Sequence, residues 1–302
     1  MQLSRYLIAA VALAATTAFA ADANFDRTLN VTGSPSLNIS TGSGYVHVYS
    51  GSGNQVHIVG HVHARPGLFS GDVNQIVNSI AKEPPIVQSG DTITVGPSKD
   101  KSDLYRNVSI DYDVTAPAAS SLRASSGSGQ LEIGGIQGSV SGNTGSGNIH
   151  VDNIGGNAHL QTGSGSIEAT QVHGGATAQT GSGHIHLAVT GPGDVRAQTG
   201  SGGIHLSGIA GGLRADSGSG SIEVEGNPTD EWRVQSGSGG INLQLPPDAH
   251  LNLEAETGSG GIRVDRPVAM QTSAGKHHLS GTINGGGHTV RLHTGSGGIT
   301  IH

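Results

Sequence analysis

From Leu122 onward the chain repeats short bursts in which apolar and polar residues alternate, separated by glycine. Gly-Ser-Gly begins at Gly127, Gly145, Gly163, Gly181, Gly200, Gly218, Gly237, Gly258 and Gly295, at intervals of 18, 18, 18, 19, 18, 19, 21 and 37 residues. Four residues after each mark stand Leu131, Ile149, Ile167, Ile185, Ile204, Ile222, Ile241, Ile262 and Ile299. Six residues after stand Ile133, Val151, Ala169, Leu187, Leu206, Val224, Leu243, Val264 and Ile301, and the residue between is usually polar or charged. Apolar–polar–apolar is the two-residue period of a strand with one buried face. A second such burst precedes each mark, as in Val195-Arg-Ala197 and Leu213-Arg-Ala215. The last interval reads as two periods with a degenerate coil near Ser280-Gly281-Thr282.

A fixed period of this length signals a solenoid. The pattern predicts an all-β, single-stranded parallel β-helix with about 18–19 residues per coil, two strands and two glycine corners in each. Right-handed coiling is the expectation for parallel crossovers. Equivalent residues then stack about 4.8 Å apart. Burying one aliphatic side chain contributes roughly 1.5–3 kcal/mol, so no single coil holds enough of them to fold alone. The corner glycines are expected to supply positive φ. The strand Ile299–Ile301 is expected to be an edge, covered by a local element or available for self-association.

Residues 21–120 are less regular and read as atypical N-terminal coils, with the regular repeats in 121–302. Val46, Val48, Val56 and Ile58 alternate with polar residues, whereas Val73, Ile76, Val77 and Ile80 fall at helical spacing. That spacing predicts an inserted helix at about 70–82, capped by Ser70 and stopped by Pro84-Pro85. Strand alternation resumes at Thr92–Val95 and Val108–Val114.

Residues 1–20 read as a secretory signal peptide: Arg5, an apolar run from Tyr6 to Phe19, then Ala18-Phe-Ala20 as the cleavage site. This implies a periplasmic or secreted protein beginning at Ala21. No other segment is long and apolar enough to predict a membrane span. The chain has no cysteine, which removes disulfides and a lipid-modified cysteine. Glycine supplies 51 residues while charged residues make up 12% and aromatic ones 3%, which suits a thin core wrapped by many tight corners. After cleavage, 14 Lys and Arg face 22 Asp and Glu, a net charge of −8. That balance argues against nucleic acid as a partner.

The organisation resembles a bacterial adhesin-like family of β-helix domains of unknown function. The residues that carry the likeness are Leu37-Asn-Ile-Ser-Thr-Gly-Ser-Gly-Tyr-Val-His-Val48, the helix-bearing insert and Val114-Thr-Ala-Pro117. They continue through Leu122-Arg-Ala-Ser-Ser-Gly-Ser-Gly129, the repeated Thr-Gly-Ser-Gly-x-Ile corners and the final Thr294-Gly-Ser-Gly-Gly-Ile-Thr-Ile301. The resemblance implies the fold and carries no catalytic residues with it.

Three readings of the surface follow. Glycan cleavage needs two carboxylates, or a base with cations, gathered in one cleft. Asp111 and Asp113 share a strand face, as alternate strand residues always do. The only lysine after Gly127 is Lys276, and the only aromatic residue there, Trp232, is phased inward. A carbohydrate-active lyase or hydrolase is therefore the lesser alternative. The outward column Glu132, His150, Glu168, His186, His205, Glu223 alternates carboxylate with imidazole. His184, His186 and His205, flanked by Glu168 and Glu223, form a donor set suited to Zn²⁺ or Cu²⁺. Cross-strand pairing explains the same column without a metal. Arg196, Arg214 and Arg233 stack on one face, where they would grip an acidic glycan or protein unless Gln198, Asp216 and Gln235 satisfy them. The principal expectation is a non-catalytic, cofactor-free, adhesin-like solenoid presenting an extended polar surface to a cell-envelope glycan or protein.

Overall fold

The computed structural model describes residues 21–64, 73–97, 105, 108–274 and 276–302. The expected signal peptide and the Ser70 cap lie outside them. Among the described residues the chain is mostly β, with one short helix and two long, unclosed sheets of solenoid type. Each regular coil contributes one strand to each sheet. In the first sheet Leu131–Gly134, Ile149–Ile154, Ile167–Val172, Ile185–Val189, Ile204–Ile209, Ile222–Gly226 and Ile241–Gln244 run parallel and side by side. In the second, Ser121–Ser126, Val140–Thr144, Ala158–Thr162, Ala176–Thr180, Val195–Thr199, Leu213–Ser217 and Trp232–Ser236 do the same. Registers match like with like, as in Ile185↔Ile204 and Ala178↔Ala197. The alternating apolar positions of both sheets are buried in one continuous core, so each coil is covered by its neighbours above and below. Trp232 points inward, fully buried, with its indole N–H donated to the Gly211 carbonyl at 2.8 Å.

The Thr/Ser-Gly-Ser-Gly corner is a hydrogen-bonded ladder. The buried Thr180 hydroxyl donates to the Gly165 carbonyl of the preceding coil at 2.8 Å and accepts the Gly183 N–H at 3.1 Å. Thr144, Thr162, Thr199, Ser217 and Ser236 make the same two bonds in their own coils. The expected reason for glycine here is corrected. The corner glycines do not have positive φ; what they need is space. A Cβ on Gly165 would lie 1.9 Å from the Gly147 carbonyl oxygen, inside any tolerable contact. Positive φ falls instead after the first-sheet strand, at the equivalent positions Gly135, Asn153, Gln171 and Gly208.

Chain order and spatial order part company at both ends. The coil formed by Ser36–Thr41 and Val46–Gly51 stacks directly on the coil at 121–134, with Leu37↔Leu122 and Val46↔Leu131. The intervening chain makes a cap. Val108–Pro117 joins Val46–Gly51, and Gln55–Ala64 and Ala21–Asn30 continue the sheet antiparallel. The helix Val73–Lys82 packs Val77 and Ile80 onto this cap, and the Arg27 guanidinium donates to its last carbonyl, Lys82, at 3.2 Å.

At the other end the expected degenerate coil near Ser280 is a hairpin. His278–Ile283 pairs antiparallel with Leu251–Thr257 and with Ala269–Ala274. The chain then turns back, and its last coil inserts between the two coils that precede it in sequence. His288–Thr294 lies between Trp232–Ser236 and Leu251–Thr257, and Ile299–Ile301 between Ile241–Gln244 and Ile262–Val264. The expected edge at Ile299–Ile301 is therefore overturned: insertion gives this strand a hydrogen-bonded neighbour on each side. The outermost strand of the first sheet is Ile262–Val264.

Candidate functional site

Strand alternation sends every second side chain outward, so each sheet displays a polar face built from in-register columns. The two faces differ in what their charges meet.

On the first face, acids and imidazoles pair with each other along the solenoid. His150 Nδ1 lies 3.3 Å from Glu168 Oε2, and His205 Nδ1 lies 3.1 Å from Glu223 Oε2. The rings of His186 and His205 stack with centroids 4.8 Å apart and planes 3° from parallel. His184 is turned away: its Nδ1 accepts the Gly203 N–H at 3.0 Å. Of the sequence-derived metal set, Glu168, His186, His205 and Glu223 share a column and His184 lies beside it, just before the strand, and the five do not converge on a point. Glu168 is engaged by His150, and His184 by the next corner. Among the described residues no three His, Asp or Glu side chains gather to hold a metal ion.

The same face continues over the N-terminal cap, where the densest cluster sits. His47 reaches Asp113 at 3.2 Å and Glu132 at 3.6 Å, and His61 reaches Asp113 at 3.2 Å. His63 meets Asp22 at 2.8 Å and Asp111 at 3.4 Å, and His57 meets Asp26 at 2.8 Å. Tyr45 stacks on His47 and donates its hydroxyl to Asp113 at 3.0 Å. Tyr49 donates to Glu132. Burial and then the Asp113 contact push the Tyr45 phenol up to about 12; the Glu132 hydrogen bond and then burial push Tyr49 to about 12. Asp111 and Asp113, the pair considered for glycan cleavage, are both taken up in this network. Sequence inspection missed the cluster because its partners lie 31 to 85 residues apart. The one signal was His57, His61 and His63 on one strand phase opposite Asp111 and Asp113.

On the second face, Arg123, Ser141, His159, Thr177, Arg196, Arg214, Arg233 and Arg291 form one column in unbroken register. Insertion of the last coil adds Arg291 to the three arginines read from the sequence. Arg214 is held by Asp216 at 2.9 Å, and Arg291 by Glu254 at 2.9 Å and by Glu231. Arg196 and Arg233 are exposed and have no side-chain partner among the described residues, so Gln198 and Gln235 do not satisfy them. The neighbouring column is a ladder of amides. Asn143 donates to Gln161 at 3.3 Å, and Gln161 donates to Gln179 at 3.0 Å. With Gln198 and the corner threonines they line an open groove of about 510 Å³. A primary amide has two N–H groups and two acceptor positions, so a ladder that uses one of each leaves the others for a ligand.

Among the described residues no helix is long and apolar enough to cross a membrane. A search of curated proteins finds no match. Three solved structures are similar over most of their length. A candidate cell adhesion protein from Clostridium sporogenes is 13% identical, covering 92% of this chain and 99% of that one, with a TM-score of 0.21. A candidate adhesin from Bacteroides fragilis is 12% identical, covering 93% and 97%, with a TM-score of 0.38. A candidate lipid binding protein from Parabacteroides distasonis is 15% identical, covering 91% and 96%, with a TM-score of 0.43. The Toastrack DUF4097 family model matches residues 26–207 and 190–302. That match spans the described solenoid and both of its ends, and the chain belongs to the Toastrack DUF4097 family.

Proposed function

We propose that this is a non-catalytic, adhesin-like solenoid of the periplasm or cell exterior, and that the second face is its binding surface for a cell-envelope glycan or protein. The observation that carries the reading is the pair Arg196 and Arg233. Both guanidiniums are exposed without a side-chain partner among the described residues, and the amide ladder from Asn143 to Gln179, with unused donors and acceptors, runs up to Arg196 in the adjoining column. A guanidinium left free on a chain with more acids than bases is placed to meet an anionic group from outside. The opposite face differs in that Asp113, Glu132, Glu168 and Glu223 are engaged by imidazoles and tyrosines. The Asp111–Asp113 pair is committed to the same kind of contact, which speaks against hydrolase or lyase chemistry there. The secretory address rests on the leader-like pattern of residues 1–20.

The test is binding of the mature protein to immobilised envelope polysaccharides and envelope protein extract. Arg196→Ala with Arg233→Ala should lower binding about tenfold or more, while circular dichroism stays unchanged. Undiminished binding by this variant would overturn the assignment of the face.

A further inference from the structure

The arginine column carries a second regularity. Counting coils from Arg123, its even steps are Arg123, His159, Arg196 and Arg233, each an exposed guanidinium or imidazole without a side-chain partner among the described residues. Its odd steps are Ser141, Thr177, Arg214 and Arg291. The first two are uncharged, and the last two are neutralised by Asp216 and by Glu231 and Glu254. A free guanidinium, or in one coil the His159 imidazole, therefore recurs on this face at every second coil. With strands about 4.8 Å apart, that is a period of roughly 10 Å along the solenoid axis.

Taking the second face as the binding surface, we infer that it is a track for one extended acidic polysaccharide, lying parallel to the axis and bearing a carboxylate on every second sugar. Successive coils are spaced much as successive sugar rings are in an extended chain. A disaccharide repeat thus brings one carboxylate to each even step and a neutral sugar to each odd one. Guanidinium suits carboxylate because its N–H groups form two parallel hydrogen bonds with it. The amide lane from Asn143 to Gln198, beside the first half of the column, suits the rest of such a chain, since hydroxyls both donate and accept, as the spare amide valences do. An acidic peptide fits less well. An extended peptide advances about 3.3 Å per residue, out of step with the coils, and the interior strands of this face have no free backbone edge to add to. A homopolymer of acidic sugars would set half of its carboxylates over Ser141, Thr177 or the Asp216-paired Arg214.

The test compares three defined glycans of equal length on the mature protein: one alternating uronate with neutral sugar, one all-uronate, one neutral. The alternating glycan should bind several-fold more tightly than the all-uronate one, and the neutral one least. Its affinity should fall about tenfold between low and high salt. Register is tested by two added charges. His159→Arg, at an even step, should tighten the alternating glycan about three- to tenfold, whereas Thr177→Arg, at an odd step, should not. Equal or better binding of the all-uronate or a sulfated glycan, or equal gain from both variants, overturns the alternating track but leaves the face as the binding surface. Binding that survives loss of both Arg196 and Arg233 overturns the surface itself. Capture of an acidic protein in place of glycan through the same arginines overturns the track alone.

Discussion

Both outer faces hang on one stack of strands and share its period, yet one is closed on itself and the other is open. On the first face carboxylates meet imidazoles or phenols along the stack, from Asp22–His63 in the cap to His205–Glu223 between the strands Ile204–Ile209 and Ile222–Gly226. On the second, Arg196 and Arg233 project without partners among the described residues. The scaffold cannot explain this, because core and corners are common to both. What differs is the residue placed one register step away. Repetition supplies the columns, and departures from repetition, such as Asp216 beside Arg214, decide which charges are spent inside the molecule.

Four measurements sharpen or break this contrast. The largest effect is expected where the faces are joined. Ile185→Asp places an unpaired charge in the core and should cost at least about 3 kcal/mol, with both faces lost in one cooperative denaturant transition. Independent loss of the faces would show that they are not one unit. Thr180→Val removes a hydroxyl that serves two buried backbone groups and should cost about 1–3 kcal/mol, read from the same transition.

A smaller effect separates the faces directly. Glu223→Gln breaks the half-exposed pair with His205 and should destabilise by no more than about 1 kcal/mol, less in high salt. Arg233→Ala should change stability by less than about 0.5 kcal/mol, since nothing inside the molecule depends on it. Equal losses would erase the distinction. The smallest effect lies in the cap. Tyr45 and Tyr49 ionise near 12 when folded and near 10 when free. Their contribution is complete below pH 10 and is lost as pH rises through about 12. Tyr49→Phe should remove part of that alkaline loss, followed by ultraviolet titration.

Much of the coil was legible from residue spacing. Ile185 and Leu187 flanking His186 announce a strand, and its recurrence at Ile204 and Ile222 announces a stack. The helix at Val73–Lys82 was readable from apolar residues three and four apart. The arginine column was readable as a column, but its chemistry was not. Whether Asp216 reaches Arg214 or Gln198 reaches Arg196 depends on rotamers and on which neighbour competes. The donor set around His186 is subject to the same competition: spacing places imidazoles within reach, while His184 meets the Gly203 N–H and His205 meets Glu223.

The amino-acid sequence by itself determined the period and the inward and outward phase of each strand, because these follow from two-residue alternation and its recurrence. That the corners need glycine for space follows only from the stacking, which sets a carbonyl of the preceding coil where a Cβ would stand. Tertiary structure alone decided the order in which coils stack. The insertion of Ile299–Ile301 beside Ile241–Gln244, and the union of His61 with Asp113, rest on hydrogen bonds between strands far apart in the chain. Parallel strands with near-identical apolar patterns are interchangeable as neighbours. Only the closing of both ends by antiparallel hairpins selects one arrangement.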